Sequence, residues 1–303
     1  MRAREDRRLT QHGRAGLTSA RLALVLLVAA CAPQKPAEPA YGGFGTPQRV
    51  AIRGYSGHAM EPFIARDGRY LFFNNSNDPK VDTNLHHAER VDDLTFEYRG
   101  ELKGANSAAL DGVASMDRAG NFFFISTRSY AQSLSTLYRG RFAGGTVTNV
   151  ELVPGVSLQR PGMLIFDAEV SPGGEMVFLA DGEFRGGPLP RSADIAVAVR
   201  DGAGFRRHPG SAEFMRNVNT AALEYAPAIS ADLFELFFTR ASGRQLAIYR
   251  SARRNRDEPF GIAERIGSIT GHVEAPTLSG DGRSLYYHRL DGDRFVIYRV
   301  VRN

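Results

Sequence analysis

The sequence predicts an all-β fold assembled from a repeated unit of short strands. Three observations point there. The stretch EAPTLSGDGRSLYYHRLDGDRFVIYR at 274–299 reads as three strands joined by two tight turns, Gly280-Asp281-Gly282 and Leu290-Asp291-Gly292-Asp293. Glycine and aspartate supply turn geometry that β-branched and aromatic residues avoid. The pattern recurs upstream as EYAPAIS at 224–230, a turn at Ala231-Asp232, ELFF at 235–238 and LAIYR at 246–250. From Arg49 onward, apolar residues come in alternating or short continuous runs separated by Gly, Asp, Asn and Ser, with no long helical period.

Taken in order, the chain opens with a processing segment at 1–30. Six arginines there face only Glu5 and Asp6, so the net charge of +5 sits almost wholly in this leader. The rest is near neutral and offers no electrostatic ground for a nucleic-acid partner. The apolar run LALVLLVAA at 22–30 is too short to cross a bilayer as a mature helix. It ends at Val28-Ala29-Ala30-Cys31, which resembles the bacterial lipobox; an ordinary secretory signal with a chance cysteine is the alternative. The resemblance implies cleavage before Cys31 and acylation of that residue, giving a membrane anchor. Ala32, where an aspartate would favour inner-membrane retention, implies the outer membrane, with the domain facing the periplasm. Cys31 is the only cysteine, so no disulfide can form within the chain. Residues 31–47 are rich in Pro, Gly and Ala and read as a tether. Residues 48–303 read as the folded domain.

Five units can be laid over one another. Inner segments fall at 60–65, 110–115, 166–171, 224–230 and 274–279, and second strands at 70–73, 121–125, 175–179, 235–238 and 284–287. Third strands follow at 85–89, 137–141, 193–199, 246–250 and 294–300. Fourth strands are expected at 96–102, 147–153, 205–208 and 260–266. A four-stranded sheet repeated radially is a propeller blade. The last unit stops after its third strand, while an unassigned strand at 48–53 precedes the first. Pairing the two closes the ring and hides two open edges. The expectation is a β-propeller of five four-stranded blades; six would need a unit the sequence does not offer.

Turns of the form Ser-x-Asp-Gly, then LYY or LFF, then Thr239-Arg240 or His288-Arg289, then Ile-Tyr-Arg resemble the WD40-like repeats of TolB-type bacterial propellers. The resemblance covers most of 61–301, is clearest in units four and five, and is weakest in unit three, where 185–192 is an insertion. It implies an envelope location and a protein-binding role. It carries no catalytic motif.

In a propeller, the starts of inner strands and the loops after second strands open on one end of the channel. Glu61, Asp111, Asp167, Glu224 and Glu274 are expected there, one carboxylate per unit, with Glu169 a further candidate. Asn75, Arg128, Asp181, Arg240 and His288 are expected around them. Convergent polar groups in a concavity make a candidate site. A repeated carboxylate equally suits a structural pairing with a neighbouring arginine. The sequence therefore supports two functions. One is a non-catalytic binding or scaffold domain for an envelope protein or glycan. The other is a sugar hydrolase, for which Asp111, Asp167 and Glu224 are the catalytic candidates. His86-His87 with Glu89 point to opposite faces of a strand, and the loop at 75–82 lacks an EF-hand pattern, so no metal is expected. There is no phosphate loop or dinucleotide fingerprint, and no cofactor is expected.

Overall fold

The turns show why the repeats fold as hairpins. In the last unit the Ser279 hydroxyl donates to Asp281 Oδ1 (2.5 Å), the Arg283 N–H donates to the same oxygen (3.0 Å), and the Ser284 N–H donates to Ser279 Oγ (2.9 Å). Gly282 follows at φ +72°, which a side chain would strain. Ser230 and Asp232 build the same turn one unit earlier. The computed structural model containing these turns describes residues 43–78, 80–187 and 189–303. The leader, Cys31 and the tether up to residue 42 lie outside the described residues.

Two short strands come first, β1 (Gln48–Arg49) and β2 (Ala51–Arg53). The first blade is β3 (Met60–Ile64), β4 (Tyr70–Asn74), β5 (Leu85–Arg90) and β6 (Thr95–Glu101). The second is β7 (Asp111–Met116), β8 (Asn121–Ser126), β9 (Leu137–Ala143) and β10 (Thr146–Leu152). The third is β11 (Met163–Val170), β12 (Met176–Glu183), β13 (Ser192–Asp201) and β14 (Gly204–Arg207). The fourth is β15 (Leu223–Ile229), β16 (Glu235–Ser242), β17 (Gln245–Ala252) and β18 (Glu264–Arg265). The last is β19 (Val273–Leu278), β20 (Ser284–Asp291) and β21 (Arg294–Val301), with β1 beside β21. Pairing within each group is antiparallel. Inner strands β3, β7, β11, β15 and β19 pack side by side in that order, and β19 returns to β3. The fold is a β-propeller.

Period-two alternation sends neighbouring side chains into different inter-blade cores. Phe72 packs with Phe122 and Tyr138 toward the second blade, while Phe73 packs with Tyr286 and Ile297 toward the last. Phe237 and Phe238 divide in the same way, toward Tyr287 and toward Phe178.

The N-terminal strand corrects the sequence reading in two places. Only Gln48–Arg49 pairs with the last blade, opposite Arg299 and Tyr298; Ala51–Arg53 runs parallel to Thr95–Glu97 of the first. Buried Val50 is the crossover: its N–H donates to Ile297 O in the last blade, and the next N–H, of Ala51, donates to Leu94 O beside the first. The segment therefore stitches the seam instead of belonging to one side. The folded part also begins earlier than residue 48. Phe44, read as tether, is buried, bridges Arg302 and packs edge-on against Phe237 at 5.9 Å.

Candidate functional site

All five inner strands carry a β-bulge at one level of the channel. Glu61, Val113, Ala226 and Ala275 sit on it with φ between +48° and +55°. A side chain costs about 1–2 kcal/mol in that conformation, and each bulge N–H is held by a neighbouring blade. Val113 N–H donates to Asn74 Oδ1 (3.2 Å), Ala226 N–H to Asp167 Oδ2 (3.3 Å), Ala275 N–H to Thr239 Oγ1 (2.9 Å) and Glu61 N–H to His288 Nδ1 (3.1 Å). This explains the Thr-Arg and His-Arg pairs. Thr239 and His288 turn inward as acceptors, while Arg240 and Arg289 turn outward over Tyr249 and Tyr298, 4.5 and 3.6 Å from the ring centres.

The predicted carboxylates do not share a register. Glu61 and Asp167 line the channel at bulge level, beside Val113, Ala226 and Ala275. Glu274 lies one residue before that level, and Asp111 and Glu224 lie two before it. Asp111 accepts from Arg128 (2.6 Å) and from the N–H and hydroxyl of Ser107 (2.6 and 2.7 Å). Glu224 repeats the arrangement with Arg240 (2.6 Å) and Thr220 (3.0 and 2.6 Å). Asp181 is held by Arg207 through two bonds of 2.6 and 2.7 Å. Asn75 braces its own loop, donating to Asp82 O and accepting from Asn84 N–H. Of the expected set, the structure brings together Glu61, Asp167, Glu274 and His288.

Sequence reasoning missed three members of this cluster. Asn77 Nδ2 donates to Glu61 Oε1 (2.7 Å), the Tyr225 hydroxyl donates to Glu274 Oε2 (2.9 Å), and His272 Nε2 lies 3.2 Å from Glu274 Oε1. Tyr225 adjoins the repeat carboxylate Glu224 and His272 precedes β19, so neither stood out as more than strand-edge chemistry. Burial, reinforced by the charge of Glu274, pushes Glu61 up to about 8, and burial with the neighbouring Glu61 carries Asp167 well above the ordinary carboxylate range. Burial alone would raise Glu274 too, but the bonds from His272 and Tyr225 outweigh it and hold that group below its usual value. Glu274 is thus the carboxyl of the three that favours its ionised form, while Glu61 and Asp167 are shifted toward the protonated one.

Glu61, Glu274 and His288 bring ligand atoms within 4.8 Å of one another. The donor set does not suit a metal ion. Nδ1 of His288 already accepts the Glu61 N–H, and burial keeps the ring neutral by lowering its pKa to about 4. The proton of the neutral ring must then sit on Nε2, which offers no lone pair. That Nε2 is buried without a hydrogen-bond partner.

Toward the opposite end a side chain bridges blades across the channel. Arg66 of the first blade donates to Glu169 Oε1 and Val170 O of the third, both at 2.9 Å, and the Ile229 N–H of the fourth donates to the same Glu169 oxygen. The mouth side carries an aromatic group. Half-buried Phe166 lies 5.5 Å edge-on from Phe184 and 5.7 Å from Tyr225. Gly182 makes room for it, since a Cβ there would come within 2.7 Å of both phenylalanine rings.

No family model matches the chain, and no curated protein matches its sequence. Solved structures do match. A structure described as a glycoside hydrolase superposes with a TM-score of 0.58 at 12% identity, over 87% of this chain and 92% of its own. A family 117 glycoside hydrolase from the marine bacterium Zobellia galactanivorans gives 0.51 at 11%, over 86% and 90%. TolB from Acinetobacter baumannii gives 0.44 at 16% over 80% of this chain, which spans about half (53%) of that protein's length. Likeness at these identities concerns the fold alone.

Proposed function

We propose that this chain is a lipid-anchored envelope propeller that binds a carbohydrate at its channel mouth without turning it over. The observation that carries the reading is the ionised Glu274, bonded to Tyr225 and His272, with the half-buried ring of Phe166 packed 5.7 Å from that tyrosine. A sugar ring presents C–H faces that pack on aromatic rings and hydroxyls that pair with carboxylate, phenol and imidazole. Binding without turnover is favoured because Glu61 and Asp167 are only 7% and 3% exposed, leaving Glu274 as the carboxylate of this cluster that a ligand reaches first. Support for the envelope location is the lipobox-like sequence ending at Cys31 and the outer-membrane sorting implied by Ala32.

The test is a glycan array probed with purified protein, followed by calorimetry on the hits. Glu274→Gln and Phe166→Ala should each weaken binding tenfold or more. Retention of full affinity by both variants would remove the mouth from consideration; an envelope-protein partner recovered in place of any glycan would point to the scaffold role. For location, Cys31→Ser should release the protein from the membrane fraction or leave it unprocessed, and unchanged fractionation would refute lipid anchoring.

Hydrolysis is the second reading, and one observation favours it. Glu61 and Glu274 have acidities moved in opposite directions, as an acid and its partner base require. Their closest oxygens, within 4.8 Å, are near the spacing of about 5–5.5 Å between carboxyls in retaining glycosidases. Release of nitrophenol from any aryl glycoside, abolished by Glu274→Gln, would reverse the order of the two readings.

A further inference from the structure

Size separates the cavity inside the channel from a second concavity near its mouth. The channel cavity between Glu61 and Asp167 holds about 20 Å³, room for one water. A groove between the loops of the first and second blades holds about 640 Å³, within the range of small-molecule sites. Lys80, Asp82 and Glu101 supply charged groups to its wall, Ser107 and Thr127 hydroxyls, and residues 108–110 complete it. Asn84, also in the wall, keeps a buried Oδ1 with no hydrogen-bond partner.

Two covalent paths join the groove to the mouth. Leu110 lines the groove and Val113 lines the channel, three residues apart along the chain entering β7, or about 10 Å at strand rise. In the loop after β4, Asn77 bonds Glu61 while residues 80–82 edge the groove. That loop is braced internally. Asn74 Nδ2 donates to Ser76 O and Asn77 Oδ1, and Asn75 ties Asp82 to Asn84. A wall fixed before the ligand arrives costs less ordering on binding.

We propose that this groove is the principal subsite for an oligosaccharide whose terminal residue reaches the Glu274 mouth. The inference rests on the carbohydrate reading above and makes the ligand an oligomer, because the channel cavity alone cannot enclose a sugar ring. The wall offers donors and acceptors of both signs and no aromatic side chain, which suits hydroxyl-rich residues over an apolar ligand.

The experiment is calorimetry of the full chain in detergent against mono- to hexasaccharides of arabinan, xylan and chitin. Tetrasaccharides of the preferred series should bind at least tenfold tighter than its monosaccharide. Ala108→Trp, which fills the groove, should remove that gain while leaving monosaccharide affinity unchanged; Lys80→Ala, a milder change, should remove part of it. Thermal melting confirms that both variants are folded. Affinity independent of chain length, or a length gain that survives Ala108→Trp, overturns the groove while leaving the mouth intact. Failure of every saccharide at every length overturns both.

Discussion

The backbone N–H of Glu61 donates to Nδ1 of His288 at 3.1 Å, across the seam where the first blade meets the last. One bond thus holds a left-handed glutamate, fixes a histidine tautomer and joins the two ends of the folded chain. His288→Ala should lose at least the ~1–3 kcal/mol of an unsatisfied buried N–H. His288→Asn should recover part of the loss, since Asn74 performs the same task for Val113 in the next seam. Chemical denaturation of the two variants compares them directly. Equal losses would mean that the ring's bulk matters and its acceptor does not.

The acidity of Glu61 predicts how stability changes with pH. Its folded pKa of about 8 lies above the ordinary 4.5, so between those values the native state holds a proton that the unfolded chain releases. This group therefore removes stability as pH rises from about 4.5 to about 8 and changes nothing below that window. Glu61→Gln, which stays neutral, should melt higher than the parent at pH 8 and the same at pH 4. A variant that melts lower at pH 8 would show that the carboxylate is ionised and paired in the folded state.

The repeat and its turn chemistry were legible in the sequence because they are local. Serine, aspartate and glycine at 279–282 specify a turn on their own. The carboxylate register was not, because it depends on where each turn begins. In the second unit the residue that closes the hairpin is Asp117, whose N–H donates to Asn121 O as that of Ser279 does to Ser284 O. Counting from Ser115 instead placed Asp111 level with Glu61, two residues away from its true counterpart Glu224. The shared Arg128 and Arg240 partners were the available signal. Residues such as Asn77 and Tyr225 reach the cluster through loop and bulge geometry, which no periodicity encodes.

Ring closure by the N-terminal segment predicts a large effect from one side chain outside the five repeats. Phe44 is 6% exposed and fills the core shared by Phe237, Tyr287 and Val300. Phe44→Ala should cost about 3–5 kcal/mol, the range for a buried aromatic. Removing residues 43–50 should cost more, because it also uncovers the edge of β21. An unchanged denaturation midpoint for Phe44→Ala would mean the ring closes without this residue.

The register also predicts that carboxylates which look alike in the sequence will separate into two classes. Asp111 and Glu224 are fully buried, and their partners Arg128 and Arg240 keep 24% and 16% of their side chains exposed. Breaking a wholly buried pair costs about 3–5 kcal/mol because the remaining charge has no counter-ion. Partial access of water to these arginines lowers the expectation to about 2–4 kcal/mol. Asp111→Asn and Glu224→Gln should each lose that much; Glu224→Gln should leave saccharide affinity as it was, whereas Asp111→Asn also loosens Ser107 in the groove wall. Asp167→Asn should not follow them, since its carboxyl is held well above the ordinary range by burial and by Glu61, and its amide can still accept the Ala226 N–H. Above the range where an unfolded aspartate ionises, that variant should be neutral or stabilising. Denaturation of the three amides at pH 7 decides the matter. Equal losses at all three positions would make Asp167 another structural carboxylate and leave Glu274 without an acidic neighbour in the third blade.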